Sequence, residues 1–155
     1  MSQSRLLKAI DLPPLWLTAC LFLTWWIKHN ARFGLSFGAT WPQIVGGCLI
    51  LAGAALMALA IFEMRRQRTT VVPHRTAAKL VTTGIFARSR NPIYLGDTLV
   101  LLGVILYWDA LLALALVPVF IGILKKRFIL PEEQRLTAKF PENFAKYCQE
   151  VRRWV

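Results

Sequence analysis

The side chains able to hold a reactive small molecule fall in two short stretches. One runs Arg88-Ser89-Arg90-Asn91-Pro92-Ile93-Tyr94; the other is Lys125-Lys126-Arg127 followed by Pro131-Glu132-Glu133. Pro92 disfavours helix at Asn91 and can itself start one, which puts Arg90 and Asn91 at a helix mouth with Tyr94 one turn inside. Such a mouth presents free N–H groups and the positive end of the helix dipole, a place for an anionic group. Tyr94 adds an aromatic face that could meet a cation. The same residues also suit a plainer role, Arg90 snorkelling to lipid headgroups while Asn91 caps the helix. Metal chemistry is not expected: the only histidines, His29 and His74, have no metal-ligand spacing, and Cys20, Cys48 and Cys148 form no Cys-x-x-Cys. There is no Gly-rich phosphate loop either.

The elements that carry these residues follow from where charge is missing. The chain has 155 residues, of which 56% are hydrophobic and 17% charged, with a mean hydropathy of +0.49. A soluble domain sits near ~25% charged, so the composition points to an integral membrane protein. No charge occurs from Leu12 to Ile27 or from Phe33 to Phe62, and Asn91 to Leu124 carries only Asp97 and Asp109. At about 1.5 Å per residue this last stretch, as one straight helix, would overshoot a bilayer core of about 30 Å by roughly 20 Å. Two helices joined by a hairpin near Tyr107-Trp108-Asp109 fit better, with Asp109 capping the second arm and Pro118 kinking it. The expected fold is therefore all-α and integral to the membrane. Four transmembrane helices at about 12–28, 42–62, 91–107 and 110–126 are followed by a cytoplasmic amphipathic helix, all in one domain.

The formal net charge of +11 would suit nucleic acid, but its placement argues otherwise. The basic residues gather in the second loop (Arg65, Arg66, Arg68, Arg75, Lys79, Arg88, Arg90) and in the tail from Lys125 to Arg153; the hairpin turn has none. By the positive-inside rule loop and tail are cytoplasmic, and an even number of spans puts both termini there, as expected in a cell inner membrane. Membrane lipids are the expected partners and nucleic acid is not. Leu17-Thr18-Ala19-Cys20 looks like a lipoprotein cleavage site, yet the apolar run continues past Cys20, which favours an uncleaved first span. Gly46, Gly47, Gly53 and their alanine neighbours make the second span small-faced, for close helix packing.

The polar segments 63–90 and 125–155 must together build any site. Thr69 to Pro73 is expected to be extended, and Gly84 allows a tight turn. In the tail Leu136, Phe140, Phe144, Tyr147 and Val151 form one apolar face, and Pro141 divides the helix.

Leu80-Val81-Thr82-Thr83-Gly84-Ile85-Phe86, followed by Arg90-Asn91-Pro92-Ile93-Tyr94-Leu95-Gly96, resembles the isoprenylcysteine carboxyl methyltransferase and phospholipid methyltransferase family. Glu132-Glu133-x-x-Leu136-x-x-x-Phe140, then Phe144-x-x-Tyr147 and Val151-Arg152-Arg153-Trp154, resembles the family's closing motif. The resemblance covers roughly residues 65–155; the first two spans match by hydropathy alone. It implies a membrane enzyme using S-adenosylmethionine, with a cytoplasmic pocket made by loop 63–90 and tail 127–155. By position Leu80, Val81, Phe86, Arg90, Asn91, Pro92, Ile93 and Tyr94 would hold the cofactor, with Glu132 on its amino group, while Arg127 and Glu133 would serve the reaction near the substrate. Ala78, Phe86 and Asn91 depart from the eukaryotic pattern, which bears on the acceptor more than on the cofactor. The implied acceptor is lipid-like or small. Phospholipid N-methylation and thiol S-methylation are alternatives on the same scaffold. A nicotinamide-dependent sterol-type reductase and a non-enzymatic membrane adaptor are alternatives of other classes.

Overall fold

The structure is a computed structural model that describes residues 12–30, 36–69 and 79–155. Among these residues every regular element is helical, as the expected fold class requires. The N-terminal head, most of the extended piece expected at 69–73, and Ala78 lie outside the described residues.

Helix α1 spans Pro13–Asn30. It opens on a proline pair, at the end where a missing N–H breaks no helical bond. Cys20 and Thr24 face inward from its middle, and the Thr24 hydroxyl donates to the Cys20 carbonyl at 2.8 Å. Helix α2 spans Trp41–Arg66 and is long and apolar enough to cross a membrane. Helix α3, Pro92–Tyr107, is apolar but shorter.

The most extensive helix contact is α2 against α3, and glycine makes it possible. A Cβ added to Gly46 would meet the Gly103 carbonyl oxygen at 2.5 Å, and one on Gly53 would meet the Gly96 carbonyl at 2.6 Å. The reverse approaches, Gly103 to Gly46 and Gly96 to Gly53, are both 2.7 Å. Two glycines seven residues apart on each antiparallel helix thus let the backbones touch at two levels, whereas Gly47 faces open space. This contact fixes where the mouth of α3 lies relative to the end of α2.

The hairpin forms where the charge pattern places it, but Asp109 acts otherwise than expected. It does not cap the following 3-10 turn, Leu111–Ala115, which has no side-chain cap. Asp109 takes a left-handed conformation (φ 54°), the role glycine often fills and one that Asp tolerates. Its carboxylate accepts from the Phe37 N–H at 2.8 Å and from the Ser36 hydroxyl, tying the hairpin to the segment before α2. Those two donors hold its carboxyl below the usual carboxylate range.

Helix α4 follows at Leu116–Leu124. Its 3-10 start lies in the turn before Pro118, which has no N–H for the Leu114 carbonyl that an α-helix would bond. In the tail, proline followed by two acids would mark a helix start at Pro131, but no new helix begins there. A π-helical turn, Lys125–Ile129, joins α4 directly to helix α5, Leu130–Lys139. The wider turn loosens the hydrogen-bond ladder just where Pro131 offers no donor. Pro141 does divide the tail: Phe140 leaves helical geometry (φ −133°, ψ 58°), and helix α6 runs Pro141–Glu150. The tail's apolar face forms as expected, with Phe144, Tyr147 and Val151 buried together against Leu80, Leu136 and Phe140.

Candidate functional site

The loop from Lys79 to Asn91 and the helices α5 and α6 enclose a cleft of about 520 Å³, part of it open to solvent. Its apolar wall is Met64, Leu80, Val81, Phe86, Leu136 and Phe144, and its polar groups include Arg90, Asn91, Glu132, Glu133 and Tyr147.

Two backbone features shape the loop wall. Gly84 takes a left-handed φ of 61° and opens a 3-10 turn, Gly84–Ala87, that carries Phe86 inward. The Tyr147 hydroxyl, from α6, then donates to the Phe86 carbonyl at 2.6 Å. Burial pushes the Tyr147 phenol well above its ordinary value.

The mouth of α3 is tied to the C-terminal segment. The Arg90 N–H donates to the Arg152 carbonyl at 3.1 Å, and the Asn91 side-chain amide donates to the Arg153 carbonyl at 3.0 Å. Glu133 accepts two bonds from Arg153, at 2.8 and 3.0 Å, and lies 3.2 Å from an Arg90 nitrogen. This fork-to-carboxylate geometry is the strong form of an ion pair, and it raises the Arg153 pKa. Arg90 also reaches the Cys148 sulfur at 2.7 Å, while its buried Nε has no partner among the described residues. Glu132 is placed differently: it accepts from the Tyr94 hydroxyl at 3.1 Å, where α5 meets the first turn of α3.

Of the residues singled out in the sequence, Leu80, Val81, Phe86, Arg90, Asn91, Glu132 and Glu133 line one cleft. Tyr94 is buried and joins it through Glu132. Pro92 and Ile93 stand behind the wall, Pro92 fully buried and Ile93 packed against Ala60, Val81 and Phe86. Arg127 is not among the cleft residues; its guanidinium lies 5.0 Å from the ring centre of Trp16 on α1. Three residues went unassigned in the sequence reading. Arg153 sits in the quoted motif but had no acid matched to it, while Met64 and Glu63, at the end of α2, carried no motif at all.

The phospholipid methyltransferase family model matches residues 41–143, more than half of the chain. The chain belongs to that family. The match includes α2, which motif resemblance had left to hydropathy, and takes in the cleft residues up to Asn143. It stops short of Phe144 and Tyr147, which line the cleft from the C-terminal side, and of Arg153, which is bonded to Glu133. A search of curated proteins finds no match. Membership of the phospholipid methyltransferase family implies methyltransferase activity and is consistent with membrane association, as is helix α2, long and apolar enough to span a bilayer.

Proposed function

We propose that the protein binds S-adenosylmethionine in this cleft and transfers its methyl group to a lipid-like acceptor within the membrane. One observation carries the reading: an acid, Glu132, and a base, Arg90, line one cleft beside an apolar wall. The cofactor has a carboxylate that needs donors, an ammonium that needs an acid, and a nucleoside that needs apolar cover. The Arg90 guanidinium and the Asn91 mouth supply the first, Glu132 the second, and Leu80, Val81 and Phe86 the third. Bound there, S-adenosylmethionine supplies an electrophilic methyl group on a positive sulfur.

The chain's own residues then bind, orient and exclude water. Tyr94 orients Glu132 through its hydroxyl. Glu133 is occupied by two arginines, so we assign it to holding Arg90 and Arg153 rather than to touching reactants. In-line displacement demands alignment more than acid–base groups, and good positioning can supply about 7–11 kcal/mol. Arg127, on the side of the π turn nearest α1, would meet an acceptor headgroup arriving between α1 and α4.

In this reading the chain crosses the membrane four times, by α1, α2, α3 and the run 111–124, with both termini on the cytoplasmic side of an inner membrane. The basic residues Arg65, Arg66, Arg68, Lys125 and Lys126 flank the cytoplasmic ends. The test is transfer from methyl-labelled cofactor by protein in nanodiscs, supplied in turn with an aminophospholipid, a prenylated cysteine and a small thiol. Label in an acceptor, lost in Glu132→Gln, is expected. Label in none of the three, from protein that is folded, would refute the reading.

A further inference from the structure

The loop wall is held from a direction the cleft does not include. Glu63, in the last turn of α2, is 6% exposed although it is a carboxylate. Its Oε1 accepts from the Thr83 hydroxyl and from the Gln67 side-chain amide, the latter at 3.2 Å. Gln67 also donates to the Thr83 oxygen at 3.0 Å, closing a three-member ring of bonds. Gly84 follows directly, and a Cβ there would lie 3.0 Å from the second Glu63 oxygen. Arg66, 70% exposed, offers only a long contact of 3.8 Å.

A buried carboxylate is costly unless its oxygens find donors. Here both side-chain donors to Oε1 come from the junction of α2 with the loop, and Thr83 is the residue before the 3-10 turn. The apolar contacts nearby, Ala60 with Val81 and Phe86, are non-directional and would tolerate small slides of the loop. The Glu63–Thr83 bond is directional. Together with the Tyr147 bond to the Phe86 carbonyl it fixes the turn at both ends, one end to α2 and one to α6.

We propose that Glu63 is a positioning residue for the cofactor: through Thr83 it sets the turn that presents Val81 and Phe86 to the cleft. Glu63 itself does not touch the bound molecule. The inference rests on the cleft being the S-adenosylmethionine site.

Its test is calorimetric binding of S-adenosylhomocysteine to the full chain, comparing wild type with Glu63→Leu, Thr83→Val and the pair. A positioning role predicts a Kd raised about tenfold in each single variant, with unchanged stoichiometry. It also predicts a double variant no weaker than either single one, because one bond is removed in all three. A fall in stoichiometry at unchanged Kd would mean a merely structural role and overturn the proposal, as would unaltered binding in both single variants. Hydrogen exchange at residues 83–88 is read in parallel without ligand and should quicken about tenfold in Glu63→Leu; protection equal to wild type overturns the proposal independently. A wild type that binds nothing while exchange responds as expected would instead refute the assignment of the cofactor to the cleft.

Discussion

Adjacent acids with different partners should fail in different ways when neutralised. Glu133 makes three close arginine contacts, at 2.8, 3.0 and 3.2 Å, with its side chain 17% exposed and those of Arg90 and Arg153 at 15% and 32%. Glu133→Gln keeps the shape and removes the charge, leaving two guanidinium groups side by side. An exposed ion pair contributes about 0–1 kcal/mol and removing one partner of a fully buried pair costs about 3–5 kcal/mol. Partial exposure puts this site between them, at about 2 kcal/mol, or roughly 4–8 °C of melting temperature for a chain of this size. Glu132→Gln disturbs the Tyr94 contact but removes no fork, so stability should move by less than about 1 kcal/mol. Its effect should fall on the ligand. Loss of one charge-assisted bond, about 1.5–3 kcal/mol, is roughly a 10- to 100-fold rise in Kd for S-adenosylhomocysteine. Thermal unfolding by tryptophan fluorescence and calorimetric titration on the same samples would separate the two signatures. The reverse pattern, with Glu132→Gln unstable and Glu133→Gln stable but weakly binding, would refute the division of labour.

Four further outcomes follow from the packing. Tyr147→Phe leaves the Phe86 carbonyl without its donor and should cost about 1–3 kcal/mol, seen as faster hydrogen exchange at residues 84–88. Because the folded Tyr147 pKa lies above the unfolded value of roughly 10, the folded state keeps its proton longer; wild-type stability should fall as pH rises past about 10, and that fall should lessen in Tyr147→Phe. Asp109 has a depressed folded pKa, so its contribution is present above the unfolded value near ~4 and lost as pH falls through the folded one; Asp109→Asn, which tolerates the same backbone, should flatten the acid limb of a stability–pH curve. Gly53→Ala and Gly96→Ala each place a methyl against opposing backbone and should destabilise by about 1–3 kcal/mol, whereas Gly47→Ala should not, as thermal unfolding in detergent would report.

The charge gaps gave the helices and the hairpin, because apolar surroundings constrain residue type strongly. The tail's apolar face was legible for the same reason, although its partner, Leu80, lies more than fifty residues away and is invisible to periodicity. The α2–α3 contact was half legible: Gly46 and Gly53 stood out, while Gly96 and Gly103 showed their role only as the matching pair. The role of Asp109 was missed because an acid before a helix reads as a cap, and only its positive φ shows it closing a turn. The continuous helix through Pro131 was missed because proline signals a start, and nothing in composition signals a π turn. At the site, the motif residues converged on one cleft, since local spacing around Pro92 sets the mouth of α3. The difference between Glu132 and Glu133 depends on Tyr94 and Arg153 arriving from opposite ends of the segment, a relation only the fold supplies.

The most direct test of the central claim is ultraviolet crosslinking of methyl-labelled S-adenosylmethionine to the protein in nanodiscs, with peptide mapping of the label. Label confined to peptides carrying Met64 or drawn from 79–94 and 130–147, and displaced by unlabelled S-adenosylhomocysteine, is the predicted result. Displaceable label elsewhere, such as on α1 or the first half of α2, or no displaceable label on folded protein, would contradict it.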